Sequence, residues 1–190
     1  MQILGKILGS EARVKIMRLF LVSGSQVFEG KEVAKRSRVS TQTARKELSL
    51  LFSVGFIKKT RKGWFFNQSF RYAAEMERLL VEADVMNKDV LARAFKKTGK
   101  VKLLLVAGAF TKDKESRVDM LIVGDKIRRR AVEEGLKKIE AEIGQELSYA
   151  LFDTTEFIYR LNMYDKLVRD ILDFPHQVII ESKELNLKNM

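Results

Sequence analysis

The apolar period of this chain changes once within its first third, and that change limits what the region can fold into. Up to Leu51 the apolar residues recur at helical spacing, and after Gly55 they alternate. Ser10 has a hydroxyl able to take an orphan amide of a helix start. The helix after it carries Val14, Ile16, Met17, Leu19, Phe20 and Leu21, a broad apolar face that ends near Gly24. A shorter helix fits residues 29–36, with Val33 and Ala34 inward, and Ser37-Arg38-Val39-Ser40 breaks it. Ser40 then caps a third helix in which Ala44, Leu48 and Leu51 fall at i, i+4 and i+7, one buried stripe. That spacing leaves Thr41, Gln42, Arg45, Lys46 and Ser49 largely on the opposite side.

Beyond Gly55, residues 56–60 and 64–67 read as two strands around the turn Arg61-Lys62-Gly63, with glycine where positive φ is easiest. Three helices followed by a hairpin with a basic tip make a winged helix. Residues 8–67 resemble the ArsR/MarR-type winged helix-turn-helix of prokaryotic regulators. The stretch from Val39 to Leu51, then Val54-Gly55-Phe56-Ile57, carries the likeness to that family's recognition helix and the start of its wing. Charge agrees with it. Up to Phe70 there are 14 Lys and Arg against 4 Asp and Glu, whereas the remainder holds 22 against 21, so nearly all of the net +11 lies in the first third. A helix start bearing short polar residues fits the DNA major groove. Ser40, Thr41, Gln42, Thr43, Arg45, Lys46 and Ser49 are the expected DNA-binding residues there, Gln42 and Arg45 being the types able to bind adenine and guanine bidentately. Lys46, Lys58, Lys59, Arg61 and Lys62 are expected to neutralise phosphates, which adds affinity without sequence information.

The expected fold class is α+β, with the winged helix at 1–69, a linker helical segment at 70–98, and a small mixed α/β sheet at 99–190. In 70–97, Tyr72, Met76, Leu79, Leu80, Val90, Leu91 and Phe95 form apolar stripes, with Asn87-Lys88-Asp89 as an interruption. They fit either a linker packed on its neighbours or a dimer surface, Met76, Leu80 and Leu91 being the contacts in the second case. Strands are expected at 101–106, 118–123, 147–152 and 177–181. Helices are expected from about Ile127 to Gly144, from Glu156 with Thr154 or Thr155 as cap, and over 164–172 before Pro175.

Residues 100–182 resemble the minimal nucleotidyltransferase domain of the DNA polymerase beta-like fold, through Gly108-Ala109-Phe110 and, further on, Asp119 in Val118-Asp119-Met120-Leu121-Ile122-Val123. The resemblance implies a Gly-Ser pair beside nucleotide phosphates, two carboxylates one residue apart on a strand holding two Mg²⁺ ions, and a third carboxylate nearby. Positions i and i+2 of a strand share a face, so such a pair reaches the same metals. Here Ala109 replaces the Ser, Leu121 stands at the second carboxylate, and the third falls near Ser148, with Glu146 close by. The domain is therefore expected to be an inactive relative, with Asp119 vestigial, Gly108 and Ala109 a weak nucleotide site, and no metal or cofactor. Asp113 and Glu115 are expected to face solvent and His176 to be structural. Arg128-Arg129-Arg130 is a phosphate patch or, the favoured reading, a solvated helix start.

With no cysteine, disulfides and thiolate metal sites are excluded. No apolar run reaches the roughly 20 residues of a membrane span, and the start lacks a signal-peptide pattern, so the expectation is a cytoplasmic protein with no membrane partner. The combination resembles a group of prokaryotic proteins described as transcriptional regulators. It implies double-stranded DNA as partner, a homodimer, and a nucleotide or protein effector. The alternatives are an active nucleotidyltransferase guided by its winged helix and an antitoxin-like interaction module.

Overall fold

The computed structural model describes residues 3–82, 88–111, 113 and 116–185. The fold is mixed α/β and divides into two compact units, Met1–Val85 with Lys137–Glu146, and Met86–Leu136 with Leu147–Met190.

The first unit contains α1 (Ile3–Ile7), α2 (Glu11–Ser23), α3 (Gly30–Arg36), α4 (Thr41–Ser53) and a hairpin of β1 (Ile57–Thr60) with β2 (Gly63–Phe66). The helices expected from apolar spacing are present, and α1 is too short to leave a periodic signal. Ser10 Oγ accepts from Arg13 N at 3.1 Å, and Gly24, at φ +56°, ends α2. The core is aromatic at its centre: Phe20, Phe28 and Phe56 are all but fully buried, with Ile16, Val33, Leu48, Leu51 and Ile57 around them. Each such side chain contributes about 1.5–3 kcal/mol by leaving water, and the helical stripe of α4 is what delivers Leu48 and Leu51 to it.

Register sets the hairpin tip. Thr60 pairs with Gly63, so the loop is the two residues Arg61-Lys62, and Gly63 is the first residue of β2 rather than part of the turn. Its lack of a side chain serves packing. A Cβ on Gly63 would lie 2.3 Å from the Phe28 carbonyl oxygen, while Phe28 and Trp64 exchange two backbone hydrogen bonds of 2.8 Å. The hairpin is thereby fastened to the segment before α3.

After the hairpin, α5 (Ala73–Glu77) continues into a π-helical turn, Arg78–Glu82. The wider π turn leaves carbonyls off the usual ladder, and the buried Arg18 guanidinium donates from Nε to Leu80 O at 2.7 Å. Leu80 is 1% exposed in the first unit and Leu91 is equally buried in the second, so neither is free to hold a dimer. The apolar stripes of 70–97 serve the chain's own cores at these positions. Asn87 lies outside the described residues.

The second unit contains α6 (Lys88–Phe95), β3 (Lys100–Val106), β4 (Met120–Asp125), the first part of α7 (Arg129–Ile143), β5 (Tyr149–Phe152), α8 (Thr154–Asn162), α9 (Lys166–Asp173) and β6 (Gln177–Glu181). The sheet order is β5-β4-β3-β6, with β3 antiparallel to β4 and β6, and β5 parallel to β4. Period-2 alternation sends Leu103, Leu105, Leu121 and Val123 to one face, where Phe157 of α8 and Val168 and Ile171 of α9 pack on them. Leu104 and Ile122 point to the other face and are as fully buried. There α6 passes α7 closely: a Cβ on Gly135 would lie 2.9 Å from Ala94 O. The cap of α8 differs from the expected one. Asp153, not Thr154 or Thr155, caps α8 by accepting from Glu156 N at 2.7 Å, and Asp165 caps α9 through Leu167 N and Val168 N. A carboxylate is the stronger acceptor at a positive helix end.

Candidate nucleic-acid interface

The cap of α4 decides which of its polar residues remain available. Ser40 Oγ accepts from Thr43 N at 3.0 Å and lies 2.8 Å from Thr43 Oγ1. Both hydroxyls, predicted as DNA contacts, are thus engaged in starting the helix, and Thr43 is half-buried. Thr41, Gln42, Arg45, Lys46 and Ser49 are exposed along the side opposite Ala44, Leu48 and Leu51. On the hairpin, Lys58, Lys59, Arg61 and Lys62 are exposed as well. Among the described residues none of these six cations makes an ion pair, although Arg13 pairs with Glu47 and Arg36 with Glu32 in the same unit. Six like charges gathered without carboxylates repel one another and raise the local positive potential, which attracts a polyanion.

Two features that sequence reading passes over hold this surface in place. Glu47 sits on α4 yet is only 4% exposed. It accepts from Ser10 Oγ at 2.8 Å and from Arg13 Nε at 2.9 Å, while Arg13 Nη1 donates to Leu8 O at 2.7 Å. Both carboxylate oxygens of the buried Glu47 have a partner, the condition for such a group to stabilise rather than cost. It ties α4 to the start of α2. The second feature is aromatic. Phe52, at the end of α4, meets Trp64 of β2 edge-to-face at 5.5 Å, and Lys59 Nζ lies 4.9 Å from the centre of the Trp64 ring. Sequence signals for both existed, in the acid at a core-facing helix position and in the period-2 register that sets Lys59 across from Trp64.

At the loop read in the sequence as a weak nucleotide site, the backbone takes up the Asp119 carboxylate. Asp119 Oδ1 accepts from Ala109 N at 2.7 Å and its Oδ2 from Ser148 N at 2.9 Å, so both carboxylate oxygens bind backbone amides. Gly108, at φ +48°, turns the chain tightly here, and a Cβ on it would lie 2.4 Å from Asp119 Oδ1. Two residues on, Leu121 is fully buried between Leu105 and Ala150 and belongs to the core beneath α8 and α9. Asp113 is half-buried rather than solvent-facing, and Glu115 lies outside the described residues. Glu146 pairs with Arg36 at 3.0 Å, and His176 Nδ1 lies 2.9 Å from Phe174 O. Arg129 opens α7 and, with Arg128 and Arg130, is exposed, as expected of a helix start. Among the described residues no three His, Cys, Asp or Glu side chains converge as metal ligands would.

Elsewhere in the second unit charges meet as pairs. Lys102 Nζ lies 2.9 Å from Asp125 Oδ2 and 3.0 Å from Glu184 Oε2, and Lys100 Nζ is 3.0 Å from Glu184 Oε1. The Lys102 hydrogen bond, aided by Thr154, holds the Asp125 carboxyl down at about 2, and hydrogen bonds to Asp125 and Glu184 raise Lys102 above its ordinary value. Among the described residues no helix is long and apolar enough to cross a membrane. Set against known proteins, the chain matches no family model, no curated protein and no solved structure.

Proposed function

We propose that the chain is a sequence-specific DNA-binding transcriptional regulator. In this reading residues 1–69 form a winged helix-turn-helix, with α4 as recognition helix and the β1–β2 hairpin as wing. One observation carries it: Arg45, Lys46, Lys58, Lys59, Arg61 and Lys62 are exposed and lack acidic partners, on elements that also present Gln42 and Ser49. Phosphate contacts from the lysines and hairpin supply affinity, while Gln42 and Arg45 are the side chains able to read base edges.

The second unit is a nucleotidyltransferase-like domain that has exchanged chemistry for assembly or sensing. A two-metal reaction needs several converging carboxylates, whereas Asp119 spends both oxygens on amides and Leu121 is core. A nucleotide effector at Ala109 would have to displace Asp119 from its amide. A homodimer would place two recognition helices about one turn of DNA apart, using surface other than Leu80 and Leu91.

Selection of bound fragments from a random duplex library, followed by fluorescence anisotropy on the enriched site, tests the proposal. Gln42→Ala or Arg45→Ala should cost about 1–3 kcal/mol on that site and little on random DNA. If no sequence is enriched and neither change alters affinity, α4 does not read DNA. Metal-dependent nucleotide transfer abolished by Asp119→Asn would establish the enzyme instead.

A further inference from the structure

We propose that Phe52, Trp64 and Lys59 form a preset phosphate clamp that fixes the hairpin relative to α4, so that Lys59 takes one DNA phosphodiester at a set register from Gln42 and Arg45. The inference rests on the DNA-binding reading above and adds to it two positioning residues, Phe52 and Trp64, and a special role for one lysine among four exposed hairpin cations.

The argument begins with the cost of using a lysine. A free lysine side chain samples many rotamers, and holding it on a phosphate forfeits that freedom. Lys58, Arg61 and Lys62 meet that cost in full. Lys59 does not: its ammonium already rests 4.9 Å from the Trp64 ring centre, attracted by the negative face of the indole. The three N–H bonds of an ammonium spread around the nitrogen, so those turned from the ring remain available to a phosphate oxygen. Trp64 is itself held. Its backbone exchanges two hydrogen bonds with Phe28, and the Phe52 ring packs against it at 5.5 Å with the planes 74° apart. Phe52 is half exposed, which is expensive for an aromatic at the end of a helix unless it serves a contact there. Phe52 belongs to α4 and Lys59 to β1, so the stack carries the orientation of the base-reading helix to a single cation on the hairpin. No carboxylate competes for that cation among the described residues.

The test is a double-mutant cycle on DNA affinity with the full chain. Lys59→Ala should weaken binding to the enriched duplex about two- to tenfold more than Lys58→Ala, the range set by prepaid side-chain ordering. In a Trp64→Leu background that excess should vanish, because an untethered Lys59 becomes equivalent to Lys58. Phe52→Ala, at an exposed position that leaves the fold intact, should give a partial loss of the same coupling, and Trp64→Tyr should restore most of it. Thermal unfolding of each variant checks that the hairpin is folded. If Trp64→Leu fails to fold, the Phe52→Ala cycle carries the decision. Additive effects of Lys59→Ala with both ring substitutions would overturn the clamp while leaving DNA binding in place. Absence of binding by the wild-type chain to any duplex would overturn the clamp and the DNA reading together.

Discussion

The surface of α4 and the hairpin in the first unit and the ion-paired clusters of the second handle charge differently. In the first, six cations on α4 and the hairpin stand exposed without an ion pair among the described residues, and the one acid of α4, Glu47, is turned inward to hold that helix. In the second, cations meet carboxylates: Lys102 with Asp125 and Glu184, Arg160 with Glu156 and Asp165, Arg169 with Asp173, and Arg117 with Asp170. Paired surface charges are largely self-satisfied and contribute little to recognising anything else. Unpaired ones cost the folded state some repulsion, a cost offset when a polyanion arrives and counterions leave. On the proposed reading, two regions of one chain then have different work, one facing an acidic polymer and the other held to itself.

The sharpest break in this comparison would be a working metal centre in the second unit. Leu121→Asp supplies a carboxylate where the resemblance would put a second one, but it places a charge where Leu105, Ala150 and Phe157 now pack. The expected result is loss of several kcal/mol, enough to unfold the unit, because an unpaired buried carboxylate has no compensation there. Circular dichroism with urea titration measures it. A folded Leu121→Asp chain that gains Mg²⁺-dependent stability would mean that the site retains the shape of a two-metal centre.

A smaller effect is expected at Asp119. Removing its carboxylate with Asp119→Ala strips acceptors from Ala109 N and Ser148 N, and should cost about 1–3 kcal/mol by the penalty for unmet amides. Adding Mg²⁺ to the wild type should leave its unfolding midpoint unchanged, which calorimetry reads directly. A metal-dependent rise would instead mark Asp119 as a ligand.

These two residues also show how far the sequence could be read. That the position two after Asp119 is an apolar Leu121 was plain in the sequence, and the strand around it followed from an unbroken apolar run. That Asp119 binds two backbone amides was not, since those amides lie ten and 29 residues away and an amide leaves no mark in sequence. The same limit applies to Glu47, whose partners belong to α2. The three helices and the hairpin were legible because their apolar spacing is local. Residues 70–97 left two readings open for the converse reason: Leu80 and Leu91 lie on amphipathic stripes, and a stripe records that a face is covered without recording what covers it. Phe52 and Trp64 were legible as residues but not as a pair, because one ends a helix and the other sits in a strand.

The smallest expected effect concerns the paired charges. Asp125 is held at about 2, below the 3.8 of a free carboxyl, so its contribution to stability is present above that ordinary value and disappears as pH falls through about 2. Lys102 is shifted up from 10.5, so its share is full below that value and is lost as pH rises through the folded one. Asp125→Asn should therefore lower the unfolding temperature slightly at pH 7, and the gap from wild type should close between about pH 4 and pH 2. A gap constant over that range would mean that the pair contributes nothing measurable.

The most direct test of the contrast is the salt dependence of binding to random-sequence duplex DNA. Each phosphate neutralised contributes a slope of about −0.9 in log affinity against log salt. For the wild-type chain the account predicts a steep linear fall. With Arg61→Ala and Lys62→Ala together, the slope should flatten by about two units. Arg129→Ala with Arg130→Ala, exposed cations of the second unit, should leave it unchanged. A slope that ignores the hairpin changes and follows those on α7 would contradict the account, because the acidic polymer would then be bound by the other unit.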